Sequence, residues 1–169
     1  VMMAYGQPLH CFDADMIKGG KIVVKTLPEG TPFVTLDGEE RKLSERDLAI
    51  CNAEEPMCIA GVLGGKGSGT YDTTRDILFE SAYFHPTWVR KSARRHGLNT
   101  DASFRFERGI DPDGQLYALK QAALLAKELA GGEIAMEIVD VQSPELKKHF
   151  EVELEYKYVH ELIGKEIPH

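Results

Sequence analysis

The apolar residues of this chain follow two spacings, and the change from one to the other constrains its fold more than any other feature. Up to about residue 82 they fall in runs of strand length: Lys21 to Leu27, Thr31 to Leu36, Leu48 to Cys51, Met57 to Leu63 and Ile77 to Ala82. Asp37-Gly38 marks a hairpin turn leading into Glu40 to Leu43. After Pro86 the spacing is helical. Pro86 suits a first helical position, and Gly97 stops the segment just after His96. Trp88, Val89, Ala93 and His96 share one side of this helix, and Arg90, Lys91, Arg94 and Arg95 form a cationic cluster. A second helix is expected from Asp111 as cap, with Pro112 just inside, to a stop at Gly131-Gly132. Leu116, Leu119, Ala123, Ala126 and Ala130 would be its apolar stripe. Glu133 to Val141 reads as a further strand, and Gln142 to Lys148 as a linker. The last stretch alternates like a strand and then turns helical. These patterns predict mixed α and β structure and leave strand order open.

Bulk properties narrow the class. With 169 residues the chain can build one sizeable core or two small lobes. No apolar run approaches the roughly 20 residues of a membrane span, and the first residues lack the pattern of a signal peptide. A soluble, cytoplasmic protein is expected. Cys11, Cys51 and Cys58 are odd in number and not closely spaced, which argues against a disulfide framework and a zinc site and for free thiols. The net charge of −7 counts against a wide nucleic-acid interface but leaves room for contact through one basic patch.

Four segments carry candidate chemistry. In Gly6 to Asp13, His10 sits in a Gly/Pro turn with an acid nearby, suited to meet a ligand or to bond within its loop. In Gly61 to Thr70, closely spaced glycines free the backbone to approach a ligand or simply make a flexible loop, and the P-loop spacing is absent. Glu80 ends an apolar strand on the same face as Leu78, so it is either a site residue or half of a structural ion pair. In Arg90 to Gly109, positive charge suits phosphates. Phe104 and Phe106 suit stacking or packing, Arg105, Glu107 and Arg108 suit an ion-pair network, and Thr100, Asp101 and Ser103 suit the cap of a short helix. No nucleophile motif is present.

GQPLHCFD, LDGEERKL, GVLGGKGSG, ILFESAYFHPTWVRKSARRHGLNTDASFRFERGIDP and LAGGE, in this order and spacing, resemble the B3/B4 domain of phenylalanyl-tRNA synthetase β chains. Glu80 to Pro112 is the most specific part. The resemblance implies an α+β fold of mixed β-sheets with helices packed outside, the Pro112 to Ala130 helix covering a sheet. It divides the chain into a domain over 1–148 and, over 149–169, the start of a B5-like domain. It sets Val1 just after an asparagine-containing segment that belongs to the family's pocket.

The same resemblance implies post-transfer editing: hydrolysis of tyrosine esterified to tRNA(Phe). Glu80 matches the glutamate that accepts the tyrosine hydroxyl, and Gly64 the loop whose amide donates to the same oxygen. Thr100 and Ala102 match small pocket residues, and His10 matches the histidine near the scissile ester, orienting water or ribose. The implied partners are tyrosyl-tRNA(Phe) and the synthetase α subunit in an α2β2 assembly, with no membrane and no DNA. No cofactor or metal is implied for the domain, ATP and magnesium being used by the whole synthetase. Two other readings remain: a non-catalytic tRNA-binding or scaffold module of the same subunit, and a freestanding deacylase, against which the B5-like tail speaks.

Overall fold

The computed structural model describes residues 1–135, 137–144, 146 and 150–168. They fall into two compact units, Val1–Met136 and Glu137–His169.

In the first unit a short helix, α1 (Met2–Tyr5), leads into β1 (His10–Asp13). Then come β2 (Val23–Thr26), β3 (Thr31–Val34), β4 (Glu40–Leu43), β5 (Leu48–Cys51), β6 (Pro56–Ile59), β7 (Leu63–Gly64) and β8 (Ile77–Glu80). Three helices follow: α2 (Pro86–Arg95), α3 (Asp101–Phe106) and α4 (Gln115–Ala130). β2, β5, β6 and β7 form one sheet in that order, β3 pairs β4, and β1 pairs β8. Every one of these pairings is antiparallel. The fold is α+β, as expected.

The core lies where β5 and β6 bury their apolar residues. Ile50 and Ile59 are almost wholly buried there, together with Phe12 of β1 and Leu43 of β4. Val89 and Ala93 of α2 and Phe106 of α3 close it from the helical side. The α2 stripe is therefore the predicted one, except that Trp88 is 46% exposed. Pro86 starts the helix, and the His85 ring accepts the Thr87 amide at 3.2 Å. The Asp37-Gly38 hairpin also forms, closed by the Gly38 amide on the Thr35 carbonyl at 2.8 Å.

Three segments depart from the pattern. Met57 to Leu63 is not one run but a hairpin: the chain reverses between β6 and β7, with the Val62 amide on the Ile59 carbonyl at 2.9 Å. Gly61 makes the reversal possible, because its φ of 69° is one that side chains resist. The helix expected from Asp111 starts at Gln115 instead. Asp111 closes a separate turn, its carboxylate accepting the Asp113 amide and its carbonyl the Gly114 amide. The buried line of α4 accordingly shifts to Ala118 and Ala122, leaving Leu116 and Ala130 exposed. Within Glu133 to Val141, the described residues form no strand and are exposed. The second unit contains α5 (Tyr156–Ile163), ended by Gly164. The expected linker over 142–148 falls partly outside the described residues, as do residues 149 and 169.

A polar anchor that no local pattern discloses ties α2 to the turn between β4 and β5. Asp47 is buried there. Its carboxylate accepts the Ser44 amide at 2.8 Å and the Ser92 hydroxyl at 2.7 Å, and it pairs with His96 Nε2 at 2.7 Å and with Arg95. Desolvation pushes this carboxyl up, but the bonds from His96, Ser92 and the Ser44 amide outweigh it and hold it at about 2. A carboxylate with that many donors is stabilised while charged. Asp47→Asn leaves these donors without their anion, so stability should fall by about 3–5 kcal/mol in chemical denaturation. The folded value lies below the ordinary Asp value of about 4. The wild-type contribution is therefore complete above that pH and is lost as pH falls through about 2; the Asn variant should lack this acid limb.

Candidate functional site

β1 and β8 run side by side with His10 directly opposite Glu80 and Phe12 opposite Leu78. Strand alternation puts these four side chains on one face. His10 leans on Phe12, with ring centroids 4.4 Å apart. Above this pair opens a cavity of about 610 Å³.

Its walls come from five parts of the first unit. Pro8, Leu9 and His10 form one wall, and Phe79 and Glu80 the next. The β6–β7 reversal adds Gly61 to Gly64, with Cys58 beneath. Thr100, Asp101, Ala102 and Phe106 bring the start of α3, and Ala122, Leu125, Ala126 and Leu129 bring one side of α4. Leu36, from the β3–β4 turn, Phe84, and Val1 and Met2 complete the lining. The five site positions singled out from the sequence, His10, Gly64, Glu80, Thr100 and Ala102, all stand on this one cavity.

Each is held by a local cause. The missing side chain of Gly64 makes room for His10: a Cβ there would stand 2.5 Å from His10 Cε1 and 3.0 Å from Leu36 Cδ1. Its neighbour Gly65 is required by packing, since a Cβ would meet Phe33 Cζ at 2.7 Å and the Met57 carbonyl at 2.8 Å. The glycine-rich stretch is thus tightly packed at these two positions. Thr100 caps α3 in a reciprocal arrangement with Ser103, and its hydroxyl donates to the Val62 carbonyl at 2.7 Å. That bond fastens α3 to the β6–β7 reversal and uses up the hydroxyl's proton, so Thr100 presents mainly its shape to the cavity. Ala102 follows in the first turn of α3, small enough to leave space.

The electrostatics single out two groups. Among the described residues, the Glu80 carboxyl has no hydrogen-bond donor or cationic partner. Burial pushes it up to about 7. Among the described residues it is therefore not half of a structural ion pair. Among the described residues the buried His10 Nε2 has no hydrogen-bond partner, and burial lowers the ring's pKa, so the imidazole is neutral at physiological pH. Beside them, burial and the Glu80 charge raise Cys58 well above an ordinary thiol, and its Sγ lies 3.4 Å from the Ile59 carbonyl oxygen. A protonated thiol of this kind is a poor nucleophile. Two unpartnered polar groups in an otherwise apolar pocket are how small-molecule sites fix orientation.

The segment from Arg90 to Gly109 separates into parts. Phe106 packs into the core, 5.2 Å from Phe84 between ring centroids, whereas Phe104 is 48% exposed. Arg108 pairs with Glu107 at 2.7 Å and Arg105 with Asp101, so the expected network is two separate pairs. Arg95 is drawn into the Asp47 anchor, while Arg90, Lys91 and Arg94 are exposed. Leu36, Cys58, Phe84 and the α4 lining were not predicted as site residues, because in sequence an apolar cavity wall reads the same as core. Among the described residues, no cluster of His, Cys, Asp and Glu is placed to hold a metal ion, and no helix is long and apolar enough to cross a membrane.

An α+β chain with this arrangement of sheets and helices matches the model of one family, the B3/4 domain. That family matches residues 1–131, and the chain belongs to it. The chain is 68% identical over 168 residues to a phenylalanine–tRNA ligase β subunit of Bacteroides thetaiotaomicron, covering 99% of the chain and 20% of that protein. It is 53% identical to the corresponding subunit of Porphyromonas gingivalis, again over 99% of the chain and 20% of the relative. With that of Salinibacter ruber the figures are 46%, 99% and 20%. The chain thus spans about a fifth of the length of these relatives.

The contact between Gly64 and His10 makes a specific prediction. Gly64→Ala should displace the imidazole and cost about 1–3 kcal/mol of stability. It should also move the His10 ring resonances in NMR spectra while leaving those of His96 in place.

Proposed function

We propose that this domain is a segment of a phenylalanine–tRNA ligase β subunit and hydrolyses tyrosine wrongly esterified to tRNA(Phe). The observation that carries the reading is Glu80: a carboxyl raised to about 7, with no donor among the described residues, in the wall of an apolar cavity. Such a group lacks a hydrogen-bond donor, and a phenol supplies one. Tyrosine differs from phenylalanine by that hydroxyl alone. A mainly apolar synthetic pocket discriminates weakly against an added hydroxyl, whereas a site built to bond it can select it strongly. Phenylalanine in this cavity would leave Glu80 buried without a partner, at a cost of about 1–3 kcal/mol.

The ester is already activated, so placing water against its carbonyl carbon supplies much of the rate. Water attacks, the bond from that carbon to the ribose oxygen breaks, and free tyrosine and uncharged tRNA result. His10, neutral and with Nε2 unpartnered, is suited to hold the water or the ribose hydroxyl. Gly64 lets the backbone of β7 come close to the cavity, where its amide would be a second ligand to the phenol oxygen held by Glu80. The aminoacyl-tRNA, the α subunit of the ligase and a following domain opening near residue 149 belong to this same proposal.

Hydrolysis of tyrosyl-tRNA(Phe) and phenylalanyl-tRNA(Phe) by the ligase carrying each variant tests it. Glu80→Ala should reduce the preference for the tyrosyl ester by about tenfold to a hundredfold, and His10→Ala should slow both esters with the preference kept. Full preference in the Glu80→Ala protein would remove the basis of the assignment.

Titration of Glu80 gives a further expectation. The preference for the tyrosyl ester should rise with pH through about 7 in the wild type and stay flat in Glu80→Gln. Because the folded value lies above the ordinary glutamate value, this residue's contribution to stability is most favourable below about 4.3 and is lost as pH rises through about 7. Glu80→Gln should therefore melt at a higher temperature than the wild type at pH 8, and the gap should close at pH 5.

A further inference from the structure

Along α3, Asp101 lines the cavity, Phe104 and Arg105 follow it at helical spacings of three and four, and Arg108 stands in the turn just past the helix end. Phe104 and Arg105 thus share a face of α3 with Asp101, outside the cavity lining, and Arg108 joins them by stacking on Phe104. A second contact marks the same rim: Arg105 Nη2 reaches Met3 Sδ at 3.1 Å, next to the cavity-lining Met2. The remaining bonds of Arg105 hold it in place, with Nη1 donating to the Asp101 carbonyl at 2.7 Å. Phe104 is 48% exposed, while Phe106, two residues on, is buried. The Arg108 guanidinium carbon lies 3.6 Å from the centre of the Phe104 ring, fixed by bonds to the Phe104 carbonyl at 2.8 Å and to Glu107 at 2.7 Å. The rim thus carries a flat, outward-facing aromatic and guanidinium platform with two cations, on a chain whose net charge is −7.

We propose that Phe104, Arg105 and Arg108 form a nucleotide subsite on the cavity rim, which takes the terminal base and phosphate of a single-stranded RNA 3′ end. Unpaired bases stack on aromatic rings and on guanidinium planes, and arginines meet the phosphates between them. The inference rests on the hydrolytic reading of the cavity, because an ester seated beside Glu80 would leave its adenosine at the mouth. The residues of the rim, not those of the cavity, would then bind the part of the substrate common to correctly and wrongly charged tRNA. Phe104, Arg105 and Arg108 should therefore affect KM for both esters equally and leave the preference between them unchanged.

The test is binding of a fluorescently labelled CCA trinucleotide to the chain, followed by anisotropy. Phe104→Ala should weaken binding roughly tenfold, as loss of one stacked base does. Arg108→Lys, which keeps the charge and loses the plane, should also weaken it, Phe104→Trp should retain it, and Glu80→Ala should leave it unchanged. Phe104 is solvent-facing, so the fold should survive its replacement, and melting of each variant checks this. Failure of CCA to bind the wild type, or wild-type binding in both Phe104→Ala and Arg108→Lys, overturns the subsite and leaves the pair as a brace of a short helix. If Glu80→Ala then still loses its preference for the tyrosyl ester, the hydrolytic reading stands without the subsite. If CCA binds through Phe104 but no ester is cleaved, the subsite stands and the hydrolytic reading fails.

Discussion

The pairing of β1 with β8 is the constraint on which the rest of the site depends. It joins residues far apart in the chain and fixes His10 opposite Glu80, so that two polar side chains share a face otherwise given to Phe12 and Leu78. Slipping one strand by one residue would put His10 and Glu80 on opposite faces of the ribbon. Everything else about the cavity supports that pair. The β6–β7 reversal leaves Gly64 under the imidazole, α3 is fastened to the reversal through Thr100, and α2 is anchored behind it by the buried Asp47.

Asp47 and Glu80 show how the same group is put to opposite uses. Asp47 has several donors, sits at about 2 and holds elements together. Glu80 has none among the described residues, sits at about 7 and weakens the fold whenever it is ionised. A destabilising group kept in a cavity wall is what a binding site requires when the missing donor arrives with the ligand. The contrast also accounts for the silent thiol of Cys58, which the Glu80 charge helps to keep protonated.

Much of this was legible in the sequence because it rests on local rules. Pro86 and Gly97 bound α2, Asp37-Gly38 makes its hairpin, and Thr100 with Ser103 caps α3, each by chemistry confined to a few neighbours. The odd placement of Glu80 at the end of an apolar strand was visible too. Other features depended on tertiary context. Met57 to Leu63 reads as a single apolar run, since only the positive φ of Gly61 reveals the reversal. The start of α4 moved because Asp111 and Gly114 close a turn of their own. Within Glu133 to Val141 the described residues form no strand although their apolar pattern suits one. Asp47 and Leu36 gain their roles from residues distant in the chain, and α4 lines the cavity with alanines and leucines that resemble any core.

The central claim is that a carboxyl in this cavity waits for a phenol. A crystal structure of the domain with a non-hydrolysable 3′-tyrosylamide of adenosine tests it most directly. The account predicts the phenol oxygen about 2.5–2.7 Å from a Glu80 carboxylate oxygen, the spacing of a charge-assisted bond, with the amide carbonyl near His10. A ring oriented with its oxygen in open solvent, or Glu80 turned onto a cation of the protein, would contradict it.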